Sequence, residues 1–251
     1  MNLLYELPQP VIFAHRGSSA YAPENTLAAF RKAAEQGADA IELDVKLSLD
    51  GEVMVMHDPT VDRTTDGKGA VNSLSLADLK TLDAGSHFDI EFMGEPVPTL
   101  DEVLEEVGRQ LFINIELTNY TSPRDELPDK ALELVMKHDL LDRVLFSSFH
   151  PMNLYRIRRL NPDALVALLA LPGKAGRLAR GWVGRLFSPK ILHPNVDDVG
   201  GELLRREKAR SRRVHVWTVN DLQDIRRLAD AGANGIITDD PCLALKIREA
   251  A

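Results

Sequence analysis

His15 and Arg16 end the apolar run VIFA at 11–14, and His57 with Asp58 ends the run GEVMVM at 51–56. Histidine exchanges protons near neutral pH, so two imidazoles at strand ends suit a general acid and a general base. Arg16 offers a planar donor fork that matches two phosphate oxygens. Its simpler use is a salt bridge to Glu42 or Glu24. Asp58 either orients His57 or caps the turn at Pro59.

Three acids complete the set. In IELDVKL, alternation puts Ile41, Leu43, Val45 and Leu47 on one face and Glu42, Asp44 and Lys46 on the other. In FINIEL it separates Ile113, Ile115 and Leu117 from Phe112, Asn114 and Glu116. Bare carboxylates crowded on interior faces repel and are costly to bury. A divalent cation would neutralise them, and an all-oxygen donor set favours hard Mg2+ or Ca2+. The alternative is a buried ion network in which Lys46 or an arginine pairs the acids.

These residues need a scaffold. Eight β-like runs, at 11–14, 40–47, 111–117, 143–148, 164–170, 190–194, 213–219 and 235–238, alternate with amphipathic segments at 25–36, 100–109, 126–138, 151–160, 201–210, 221–231 and 241–249. Alternation implies a parallel sheet, and eight units in 251 residues imply a closed TIM (β/α)8 barrel of one domain, 1–251. The stretch of about 51–98 is expected to be an insertion after the second strand. In it, 51–57 pairs back onto 40–47 and 73–82 forms a short helix capped by Ser73 or Ser75. PENT at 23–26 reads as a helix start, with Glu24 in the first turn and Asn25 or Thr26 as cap. The connection at 171–189 is a basic helix or a loop, whose apolar residues fit ordinary helix packing better than a lipid-facing surface.

Composition excludes several classes. The net charge of -8 speaks against nucleic-acid binding. Cys242 is the only cysteine, so no intrachain disulfide forms and no thiolate metal site is credible. No run of about eighteen apolar residues implies a membrane span. The N-terminal ten residues lack a signal-peptide pattern, and a cytoplasmic location is expected.

The motifs AHRG (14–17), PENT (23–26), IELDV (41–45), HD (57–58), NIEL (114–117), VWTVN (216–220) and GIITDDP (235–241), in this order, resemble the glycerophosphodiester phosphodiesterase family. The resemblance spans nearly the whole chain. It implies hydrolysis of glycerophosphodiesters, such as glycerophosphocholine or glycerophosphoethanolamine, to an alcohol and sn-glycerol 3-phosphate. It implies Glu42, Asp44 and Glu116 as ligands of one Mg2+ or Ca2+, His15 and His57 as the acid–base pair, Arg16 as a phosphate contact, and Trp217 beside the glycerol. Trp217 alone would otherwise read as a core aromatic. One departure stands out: Thr118 occupies a position where the family usually carries a lysine, and Lys46, in phase with Glu42 and Asp44, is a conceivable substitute. Two rival readings are a lysophospholipase D-type enzyme on the same barrel and a barrel that binds without catalysis.

Overall fold

In the computed structural model, which describes residues 2–250, eight parallel strands close into a barrel. They are β1 (Val11–His15), β2 (Ala40–Leu47), β4 (Phe112–Leu117), β5 (Val144–Ser148), β6 (Leu165–Ala170), β7 (Ile191–Pro194), β8 (Arg213–Val216) and β9 (Gly235–Thr238). Neighbouring barrel strands pair in sequence order, and pairing of β9 with β1 and of β1 with β2 closes the ring. Both faces of each strand are covered, which is why the strands read as nearly continuous apolar runs.

Outward residues Ile41, Leu43, Val45, Ile113, Ile115 and Leu117 pack in one cluster with helix residues. Among the helices is α3 (Leu100–Val107), which follows α1 (Leu27–Glu35) and α2 (Leu76–Leu79). Leu100, Val103, Leu104 and Val107 recur at helical spacing and are buried. Thr99 and Glu102 fix the start of α3 through a reciprocal capping box. The lower barrel interior is filled by Val11, Phe13, Ala40, Phe112, Leu145 and Ile237, and Leu4 of the N-terminal segment plugs it from below. The polar residues further along the same faces are therefore gathered at the opposite end, the C-terminal mouth.

Within the insertion the strand and the helix are both shorter than the expected 51–57 and 73–82, at Val53–Val55 and Leu76–Leu79. The strand β3 (Val53–Val55) runs antiparallel to Val45–Leu47, where β2 projects beyond β1. Ser75, not Ser73, caps α2 in a capping box with Asp78. Met54, Met56, Val61, Val71, Leu79, Ala84 and Val97 give the insertion its own apolar cluster.

Two local expectations need correcting. Helix α1 starts at Leu27 with Thr26 as its cap, so Glu24 lies outside the first turn. Its carboxylate is drawn instead to two arginines, described below. Residues 171–189 form neither one helix nor a loop, but a short turn followed by two short helices, Arg177–Arg180 and Trp182–Phe187. Gly181 breaks the two helices apart, with an extended backbone that no helix continues. Leu178, Trp182 and Leu186 are 70%, 73% and 64% exposed, so packing is not what their side chains do. No helix among the described residues is long and apolar enough to cross a membrane.

Candidate active site

Register sets the site. His15 on β1 lies opposite Glu42 on β2, which lies opposite Asn114 on β4, and Asp44 lies opposite Glu116. All point into the barrel mouth, where His15, Arg16, Glu42, Asp44, His57, Asn114, Glu116 and Trp217 line one pocket of about 100 Å³. The sequence-predicted site residues are thus brought to one place.

One oxygen from each of Glu42, Asp44 and Glu116 lies within 4.8 Å of the others. Two oxygens on opposite sides of a cation at about 2.4 Å would be that far apart, a distance within the range for Ca2+. The buried side-chain oxygen of Asn114 has no hydrogen-bond partner, leaving a further oxygen donor in the same pocket. The donors fit a hard divalent cation.

The competing ion network is only partly present. Arg16 Nε is 3.4 Å from Asp44, and the Arg16 guanidinium also donates to Glu24 at 2.9 Å. Glu42 accepts the Arg16 backbone N–H at 3.0 Å, and Glu116 accepts the Tyr120 hydroxyl at 2.6 Å. Lys46 pairs with no acid among the described residues; it donates to the hydroxyl and carbonyl oxygens of Thr118. Arg16 therefore both forms the salt bridge and faces the pocket.

The crowding leaves an electrostatic mark. Burial first, and then the charge of Asp44, pushes the Glu116 carboxyl up to about 8, with the Tyr120 hydrogen bond pulling the other way. Burial, Asp44 and Glu116 push Glu42 well up too. In an unfolded chain Glu116 would ionise near 4.5. Between about 4.5 and 8 the folded, metal-free protein thus holds a proton that the unfolded chain has released. Stability without metal is fully present below that window and falls as pH rises through it. With EDTA, the melting temperature should drop by a few degrees from about pH 5 to pH 8 beyond any drop in Glu116→Gln. Saturating Mg2+ or Ca2+ should remove the difference; identical slopes in the two proteins without metal would contradict the crowding.

Both histidines are held from behind. His15 Nδ1 is 2.6 Å from Asp239, whose other oxygen accepts from Asn220. His57 Nδ1 is 2.7 Å from Asp58. Carboxylates at Nδ1 leave each Nε2 as the nitrogen not held by a carboxylate hydrogen bond, and His15 Nε2 is 3.9 Å from Glu42. Asp58 also takes Arg63 at 2.7 Å, and the hydrogen bond from Arg63 leads the effects that hold its carboxyl well below the ordinary range. Arg63 reaches on to both oxygens of Glu24 at 2.8 Å. Burial would raise the Glu24 carboxyl, but Arg63 and Arg16 bring it down to about 2. Charges of alternating sign therefore run from Asp58, behind His57, through Arg63, Glu24 and Arg16 to Asp44.

The backbone at HRG serves the same geometry. Arg16 and Gly17 both have positive φ, 56° and 83°. A Cβ on Gly17 would sit 2.6 Å from Ala29 Cβ, so only glycine lets α1 approach the end of β1. Asn25, also at positive φ, donates to Asp44 at 3.0 Å. PENT thus holds Asp44 and Arg16 as well as starting a helix.

Sequence reasoning gave no role to Asp239, Arg63 or Tyr120. The one local signal for Asp239 was its place directly after the last β-like run, at 235–238. The Tyr120 ring meets Phe149, and Phe149 meets Trp217 edge-on at 5.4 Å. Trp217, just past β8, spends its indole N–H on the His193 carbonyl, leaving the ring to face the pocket.

Residues 15–243 match the model of the glycerophosphoryl diester phosphodiesterase family. A glycerophosphodiester phosphodiesterase of Caldanaerobacter subterraneus is 39% identical over 233 residues, covering 92% of this chain and 94% of the relative. One from Bacillus altitudinis is 37% identical over 242 residues, covering 95% and 98%. Among solved structures, a phosphodiesterase of Oleispira antarctica in complex with the product sn-glycerol 3-phosphate superposes with a TM-score of 0.86 at 32% identity, covering 98% of this chain and 99% of that one. The shared barrel, the motifs along its mouth and these likenesses together lead to one conclusion: this chain belongs to the glycerophosphoryl diester phosphodiesterase family of hydrolases.

Proposed function

We propose that the chain hydrolyses glycerophosphodiesters, such as glycerophosphocholine and glycerophosphoethanolamine, to an alcohol and sn-glycerol 3-phosphate. In this reading Glu42, Asp44 and Glu116 hold one Mg2+ or Ca2+, and His15 and His57 exchange the protons. The observation that carries it is the joint lining of one pocket by three carboxylates, two imidazoles and Arg16.

A bound divalent cation would offset the charge of a non-bridging phosphate oxygen. Arg16 adds a second positive group beside it. One imidazole takes a proton from the nucleophile at Nε2 while the other gives one to the departing alkoxide. Asp239 and Asp58 keep both rings oriented for this. The Trp217 ring flanks the glycerol carbons, whose C–H faces suit an aromatic surface.

The test is release of glycerol 3-phosphate from glycerophosphocholine by the purified protein with Mg2+ or Ca2+. Production of glycerol 3-phosphate above the no-enzyme rate is expected. Its absence with every glycerophosphodiester tried would sink the reading and favour a barrel that only binds. The exposed Leu178, Trp182 and Leu186 beside Arg177 and Arg185 favour a second reading, action on lysophospholipids at an interface. Faster turnover of lysophosphatidylcholine than of glycerophosphocholine would select it.

A further inference from the structure

His57 has a second neighbour. It also lines an adjoining cleft of about 420 Å³, within the size range of small-molecule sites. The insertion supplies one wall, and the chain following β4 supplies the other.

Lys46 stands at the inner edge of this cleft, two residues beyond Asp44 on the same face of β2. Its ammonium donates to Thr118 Oγ1 and, at 3.3 Å, to the Thr118 carbonyl. The Thr118 hydroxyl spends its own proton on the Val45 carbonyl at 2.8 Å, which leaves its oxygen to accept. An ammonium has three N–H donors, so one is left over. Thr60, Asn72 and Thr121 line the same cleft, and their side chains make no intramolecular hydrogen bond among the described residues. Leu47, Pro59 and Val71 supply apolar wall between them.

These groups suit one kind of alcohol better than another. A quaternary ammonium is recognised by open aromatic faces or free carboxylates. The one carboxylate lining the cleft, Asp125, is occupied: Asn119 and the Leu127 N–H donate to one oxygen at 2.6 and 3.1 Å, and Ser122 donates to the other at 2.6 Å. Tyr120 spends its hydroxyl on Glu116 and meets Phe149 edge-to-face at 5.9 Å, so it offers the cleft a single ring and not the several faces of an aromatic cage. The free polar groups are a cation, hydroxyls and an amide, set among C–H surfaces.

We propose that this cleft receives the alcohol part of the diester and selects an uncharged polyol, of the glycerol or inositol class, over choline. Lys46, Thr60, Asn72 and Thr121 are its specificity-determining residues. The proposal rests on the phosphodiesterase reading above. It places the alcohol beside His57, the group able to protonate it as it leaves.

The measurement is the ratio of kcat/KM for glycerophosphoinositol to that for glycerophosphocholine. The wild-type ratio should be about tenfold or more, since several hydrogen bonds, one of them charged, separate the two alcohols. Lys46→Met should lower the ratio by about tenfold. Asn72→Ala, at an exposed position where folding is not at stake, should lower it by about threefold. A wild-type ratio at or below one overturns the proposal. So does Lys46→Met slowing both substrates equally, which would put the ammonium on the phosphate they share. Turnover of glycerophosphocholine with no polyol preference would sink this inference alone. No turnover of either would sink the phosphodiesterase reading with it.

Discussion

His15→Ala and His57→Ala should each lower kcat by about 10²–10⁴-fold, the range of a positioned proton-transfer group. The fold should survive both changes. His15 is at the barrel mouth rather than in the packed interior, and its partner Asp239 keeps Ser19 and Asn220 as donors when the ring is removed. The His57 side chain is 41% exposed and packs in no apolar cluster. Near-wild-type melting with collapsed turnover is therefore the expected pairing. Asp239→Asn preserves shape but removes the charge behind His15, and should cost about 10–100-fold, as loss of an orienting partner does. If either alanine variant turned over at the wild-type rate, that imidazole would have no part in the proton path. Loss of folding in both would leave Asp239→Asn as the deciding variant, with an unchanged kcat counting against the scheme.

Removing the divalent ion should have the other large effect. EDTA should abolish measurable turnover, and Mg2+ or Ca2+ should restore it. Asp44→Asn should lower kcat/KM by about 10³-fold or more, because metal stabilisation of phosphate charge is worth several kcal/mol. A second readout needs no substrate. At a hundredfold excess over Kd the ion should stabilise the fold by about 2.7 kcal/mol, raising Tm by about 5–10 °C. Asp44→Asn should lose most of that gain. Full activity in EDTA, or an equal thermal gain in the variant, would rule out these carboxylates as the ion's holders. The three acids have a single nearby guanidinium, which Glu24 also claims, and the Lys46 ammonium hydrogen-bonds Thr118 and none of them, so no cation among the described residues is dedicated to their charge.

Much of this was legible in the sequence because strand alternation is a strong local signal. Glu42, Asp44 and Glu116 could be assigned to interior faces from their apolar neighbours alone, and the antiparallel pairing of 51–57 followed from a short turn. What escaped depends on chain closure. Asp239 meets His15 across 224 positions, through a contact that exists only because β9 lies beside β1. Arg63 meets Glu24 across 39 positions, between the insertion and the barrel. Glu24 was misread for the same reason: helix-start statistics are local, and two distant guanidinium groups outweighed them. At 171–189 the glycines defeated periodicity, and nothing in the pattern announced that Trp182 would face outward.

The segment that follows His57 has a double inheritance. It supplies Arg63, which steadies Asp58 behind one imidazole, and also Thr60, Val71 and Asn72 in the wall of the neighbouring cleft. On the proposed roles of His57 and the cleft, a lineage that exchanged this stretch for another would alter its menu of alcohols and disturb a proton carrier in one stroke. New preferences are thus most accessible through single replacements at the cleft wall, with the arginine tether kept.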